Sequence, residues 1–135
     1  MKPAGTSIIF VDDRDRVLLL LRDDRPDIRY PNQWDIPGGG VEPGETPEET
    51  IVREMREEIG LELKGAELFE RTEFPDRIEY TFWKRANLVI EEIDLMEGQE
   101  LRWFTREEAA ATPLAFGFNP TIEAFFQRLP ILHGA

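Results

Sequence analysis

The stretch from Thr46 to Gly60 specifies a helix at both of its ends. Thr46 is a strong N-cap, Pro47 suits the first helical position, and Glu49 completes the reciprocal Thr-x-x-Glu capping box. Gly60 supplies the left-handed residue on which helices commonly stop. At about 100° per residue, Ile51, Val52, Met55 and Ile59 share one face, while Glu54, Glu57 and Glu58 share another. Like charges at these spacings cost about 0.2–0.5 kcal/mol per pair in a bare helix. Arg53, one turn before Glu57, relieves only part of that repulsion. A divalent cation would relieve the rest, and a hard ion such as Mg²⁺ prefers carboxylate oxygens. The plain alternative is a solvated acidic face.

The chain of 135 residues suits one domain, spanning 1–135, with a real core. Hydrophobic content of 41% and charged content of 33% are those of a soluble globular protein. No apolar run is long enough to span a bilayer, and the N-terminus lacks the apolar region of a secretory signal. The absence of cysteine excludes disulfides and thiolate metal sites. A cytoplasmic location is expected, with no membrane partner. The net charge of −12 argues against duplex nucleic acid, because no basic surface is available to displace phosphate counterions. An acidic protein can still handle a small phosphorylated substrate when metal ions stand between the two sets of negative charge.

Residues 7–11 and 17–21 are apolar runs around a polar turn, which predicts a β-hairpin. The second run does not alternate and predicts a central strand buried on both faces. A short strand over 33–36 leads into a glycine loop at 37–40. Residues 67–74 and 78–90 predict a second hairpin, in which Ile78, Tyr80 and Phe82 oppose Glu79, Thr81 and Trp83. A strand over 101–104 precedes a second capping box at Thr105 and Glu108. Asn119-Pro120 opens a last helix with Ile122, Phe125, Phe126 and Leu129 on one face. These elements predict an α/β protein, a three-layer α/β/α sandwich with a mixed β-sheet.

Residues 39–61 fit Gly-x5-Glu-x7-Arg-Glu-U-x-Glu-Glu-x-Gly-U, with U a bulky apolar residue, through Gly39, Glu45, Arg53, Glu54, Met55, Glu57, Glu58, Gly60 and Leu61. The fixed single-residue matches arise by chance at roughly one in a billion starts. The segment resembles the signature of the Nudix hydrolases. The approach Trp34-Asp35-Ile36-Pro37-Gly38-Gly39 is similar to that of the MutT-like branch. The resemblance implies the same sandwich fold and a Mg²⁺- or Mn²⁺-dependent pyrophosphohydrolase. It implies metal ligands at Glu54, Glu57, Glu58 and the Gly39 carbonyl, with Arg53 orienting a ligand carboxylate. Glu45 would stabilise the junction of loop and helix.

Glu54 is the expected general base, with Glu97 and its neighbour Glu100 as alternatives, because Glu97-Gly98-Gln99 resembles a metal-approaching loop of the MutT-like branch. Arg22 is placed like a phosphate-contacting arginine, or is an exposed strand-end charge. Phe118 and Asn119 join aromatic surface to an amide that can read a base edge; alternatively Asn119 caps the last helix and the phenylalanines are core. His133 receives no role. The expected substrate is a small nucleotide, a nucleoside triphosphate including an oxidised purine such as 8-oxo-dGTP. The long segment 23–33 would instead suit a nucleotide sugar. A non-catalytic nucleotide-sensing module and a homodimer both remain compatible with the sequence.

Overall fold

The computed structural model describes residues 2–132, so His133 lies outside the described residues. One mixed sheet organises the chain. Strands β1 (Ala4–Val11) and β2 (Val17–Leu21) meet antiparallel at Val11 and Val17 and then part. The freed edge of β1 pairs antiparallel with β4 (Gly38–Gly40), and its other edge pairs in parallel with β6 (Ile78–Arg85). β2 pairs with β3 (Trp34–Asp35) and, on its other edge, with β7 (Glu100–Phe104). β5 (Glu67–Glu73) completes the sheet as the antiparallel partner of β6. The glycine loop expected at 38–40 is thus a short strand. A Cβ on Gly38 would overlap the Thr6 backbone, so glycine is what lets β4 approach β1.

Helix α1 (Pro47–Ile59) covers one face and helix α3 (Asn119–Arg128) the other, with α2 (Arg106–Ala110) beside α3. Ile8, Phe10, Leu18 and Leu20 point to Ile51, Met55 and Ile59 of α1. Their neighbours Ile9, Val11, Val17 and Leu19 point to Ile122, Phe125 and Phe126 of α3. Both faces of the central strands are therefore buried, which is why their sequences do not alternate. Each such side chain contributes about 1.5–3 kcal/mol of transfer free energy. The result is the three-layer sandwich that the element order predicts. Among the described residues, no helix is long and apolar enough to cross a membrane.

Both capping boxes form. Thr46 accepts from Glu49 N at 3.1 Å and Thr105 from Glu108 N at 3.1 Å, with the reciprocal bonds also present. Gly60 ends α1 at φ 64°, and Leu61 N closes the turn on the Met55 carbonyl. Three local expectations change. β6 stops at Arg85 rather than running to residue 90. Its polar members Glu79 and Thr81 are buried, because α3 and its approach cover that face. Phe118 holds the N-cap position of α3 without a side-chain bond, so Asn119 is not its cap.

Candidate metal and nucleotide site

The β4–α1 junction brings the signature residues together. The Glu54 carboxylate lies directly over the α-carbon of Gly39, where any Cβ would overlap it. Thr6 donates its hydroxyl to the Gly39 carbonyl at 2.8 Å. Arg53 ties the acidic groups to one another. It donates to Glu45 at 2.7 and 3.0 Å, to Glu54 at 3.0 Å, to Glu57 at 3.1 Å and to the Gly40 carbonyl at 3.1 Å. The Arg53 hydrogen bonds, followed by the Glu42 backbone, hold the Glu45 carboxyl down at about 2. The same partners raise the Arg53 guanidinium above its ordinary value, Glu45 foremost.

Glu58 differs from its neighbours. It is 7% exposed, and its hydrogen bond comes from Gly38 N at 3.3 Å. Among the described residues no lysine or arginine forms an ion pair with it. Burial pushes its carboxyl up to about 9, helped by the charges of Glu54 and Glu97. Burial also raises Glu54, against the pull of Arg53. The loop carrying Glu97 is clamped at both ends: Met96 N donates to the Glu58 carbonyl at 2.7 Å and Gln99 N to the Leu21 carbonyl at 2.8 Å. Gly98, at φ 87°, leaves room for Leu20 beneath it. Among the described residues, no three acidic or histidine side chains form a closed ligand cage. The fit to a divalent ion rests on donor chemistry: Glu54, Glu57, Glu58 and the Gly39 carbonyl are oxygen donors of the kind a hard ion takes, and a bound ion would replace the proton that burial favours on Glu58.

Two cavities adjoin this cluster. One, of 350 Å³, is lined by Glu58, Glu97, Arg22, Arg25 and Asp35. The other, of 240 Å³, is lined by Arg22, Arg77, Asp35, Glu79, Phe116 and Phe118. Arg22 and Asp35 belong to both and are joined at 3.2 Å. Burial pushes the Asp35 carboxyl up to about 7 despite Arg22, and its Oδ1 has no hydrogen-bond partner among the described residues. Three guanidiniums face the Phe116 ring: Arg22 at 4.9 Å, Arg29 at 5.2 Å and Arg77 at 5.4 Å. Phe116 adopts φ 58°, a left-handed conformation unusual for an aromatic residue, and Arg77 bonds its carbonyl at 3.0 Å. Segment 23–33 closes at its neck through Asn32 N to the Asp23 carbonyl, and sets Tyr30 4.7 Å from Phe116.

The structure therefore joins Gly39, Arg53, Glu54 and Glu57 by direct contacts, while Glu58 and Glu97 line one adjoining cavity, Phe118 and Gly39 the other, and Arg22 both. It does not bring Asn119 there. That side chain accepts from Leu114 N at 2.8 Å and donates to the carbonyls of Thr112 and Ala109 at 2.9 and 3.3 Å. Neither cavity is lined by Glu100, which pairs with Leu21 as the exposed start of β7. Asp35, Arg77 and Glu79 were not among the residues singled out from the sequence. A glutamate flanked by Ile78 and Tyr80 within a strand, as at Glu79, was the available signal.

The NUDIX domain family model matches residues 1–125. The 8-oxo-dGTP diphosphatase of Escherichia coli (strain K12) is 47% identical over 60 residues, which are 42% of this chain and 46% of that protein. Diphosphoinositol polyphosphate phosphohydrolase 3-alpha of Homo sapiens is 32% identical over 113 residues, 80% of this chain and 66% of that protein. The chain thus matches only about half to two thirds of the length of these relatives. The crystal structure of a MutT protein from Methanosarcina mazei Go1 superposes with a TM-score of 0.73 at 22% identity, covering 95% of each chain. That likeness concerns the fold. The family model spans nearly all of the sandwich and the whole glutamate-bearing junction, and the chain belongs to the NUDIX domain family.

Proposed function

We propose that the protein is a divalent-metal-dependent pyrophosphohydrolase that splits a nucleoside diphosphate linked to another group. A nucleoside triphosphate, oxidised purines such as 8-oxo-dGTP included, is the favoured substrate, giving the monophosphate and pyrophosphate. The observation that carries this reading is Glu58, a buried carboxyl beside Glu54 with no ion-pair partner among the described residues. Matching Nudix relatives that act on phosphoric anhydrides support it.

Anhydride linkages resist hydroxide because their own charge repels it. Glu54, Glu57, Glu58 and the Gly39 carbonyl would hold Mg²⁺ or Mn²⁺, which would supply the missing positive charge when bound. The chain's residues do the rest. Arg53 fixes Glu54 through Oε1, leaving Oε2 to take a proton from the attacking water as its oxygen bonds to phosphorus. The anhydride P–O bond breaks and pyrophosphate leaves with the electron pair. Glu97, facing the same cleft, is the alternative proton acceptor. Arg22 spans the two cavities and can hold phosphate oxygens while Phe116 and Phe118 face the nucleoside. Incubating the protein with a nucleotide panel and Mg²⁺, followed by chromatography, tests this. Metal-dependent release of a nucleoside monophosphate is expected; no turnover of any diphosphate compound at high protein concentration contradicts it.

A further inference from the structure

We infer that Glu79 is a specificity-determining residue that reads the paired N–H donors of a guanine-class base in the cavity beside Phe116 and Phe118. This rests on the nucleotide reading above and adds which base the site selects. Glu79 is 4% exposed yet lines that cavity. It lies on β6 beside Gly5 of the parallel strand β1, and a Cβ on Gly5 would come within 2.9 Å of its Oε1. Glycine there clears space for a carboxylate whose only ion-pair partner among the described residues is Arg77. A buried carboxylate is costly unless it is bonded, and an apolar side chain would serve a sandwich core better.

The carboxylate is also aimed. Arg77 holds Oε1 at 3.0 Å and is itself fixed by the Phe116 carbonyl and by the Phe74 ring, 4.1 Å away. An ionised carboxylate has about four acceptor positions, and Arg77 and the nearby Ser7 hydroxyl do not fill them. Asp35, whose Oδ1 is buried with no hydrogen-bond partner among the described residues, lines the same cavity. Guanine presents N1–H and N2–H₂ side by side, which matches a carboxylate in two parallel bonds. Adenine offers one donor beside an acceptor, and thymine one donor between two acceptors. Asn119, the amide expected to read the base, is consumed by backbone bonds and does not line the cavity, where Asp35, Asp76 and Glu79 are the carboxylates beside the guanidiniums of Arg22, Arg29 and Arg77.

The test compares dGTP with dITP, which lacks only the N2 amine, and adds metal-free calorimetry of dGMP against dIMP. The native protein is expected to favour the guanine member by at least about tenfold in kcat/KM and in affinity. Glu79→Gln should bring that ratio close to one, acting through KM, whereas Glu79→Asp should keep part of the preference. A native protein indifferent to the N2 amine overturns the inference. So does a Glu79→Gln variant that melts earlier but keeps the ratio, since Glu79 would then serve only to anchor Arg77. If the monophosphates bind in the expected order while no triphosphate is hydrolysed, base selection stands and the hydrolase reading fails.

Discussion

The Glu54 carboxylate rests on the bare α-carbon of Gly39, so a strand residue and a helix residue fifteen positions apart share space that one methyl group would fill. Gly39→Ala must push Glu54 away from the Arg53 hydrogen bond that orients it. A shift of about 1 Å at a reacting group can lower a rate a hundredfold. The expected outcome is a loss of at least about that size, with a melting curve that still shows one cooperative transition.

Glu57 is half-exposed and bonded to Arg53 at 3.1 Å. Glu57→Gln keeps its size but removes a charge from the cluster. Weaker metal binding and a rate at least about a hundredfold lower are expected at limiting Mg²⁺. Folding stability should change by less than about 1 kcal/mol, as for other exposed pairs. Unchanged activity at limiting metal removes Glu57 from the site.

Asn119→Ala separates scaffold from recognition. Its amide joins Leu114, Thr112 and Ala109 across the connection between α2 and α3. Leaving those backbone groups unpartnered should cost about 1–3 kcal/mol of stability. The ranking of nucleotides should not move, and a reordered ranking assigns the residue to the base after all.

Much of this arrangement was legible because its signals are local. Thr46, Glu49 and Gly60 act within one or two turns, and Arg53 reaches Glu57 along its own helix, so spacing alone exposes them. Spacing places Glu58 with Glu54 and Glu57 on one helix face as a metal-ligand candidate, but does not reveal that β4 and the 96–99 loop bury it. Glu79, Asp35 and Arg77 escaped notice for a similar reason. Their setting depends on the parallel pairing of β1 with β6 and on the return of residues 116–118 to the sheet, contacts made between distant parts of the chain. Gly38–Gly40 looked like a loop because glycine disfavours strands, and only the close approach of β1 makes it one.

Asp35 sets a pH dependence. Its folded value of about 7 lies above the 3.8 of an ordinary aspartate, so the folded protein keeps a proton that the unfolded chain releases. Its contribution to stability is therefore largest at low pH, falls through the window from about 4 to about 7, and is flat above it. Other buried carboxylates slope the same way, so the difference between the native protein and Asp35→Asn isolates this one. Urea denaturation across pH 4–8 should show a shallower decline for the variant; parallel curves contradict the assignment.

We propose that the buried Glu58 carboxyl completes a divalent-ion site. Mn²⁺ titration followed by electron paramagnetic resonance counts bound ions directly and needs no substrate. The native protein should bind Mn²⁺ and release it to excess Mg²⁺, while Glu58→Gln should bind at least about tenfold more weakly, consistent with loss of a charged oxygen ligand. Equal binding by the two proteins, or none by the native one, removes Glu58 from metal binding.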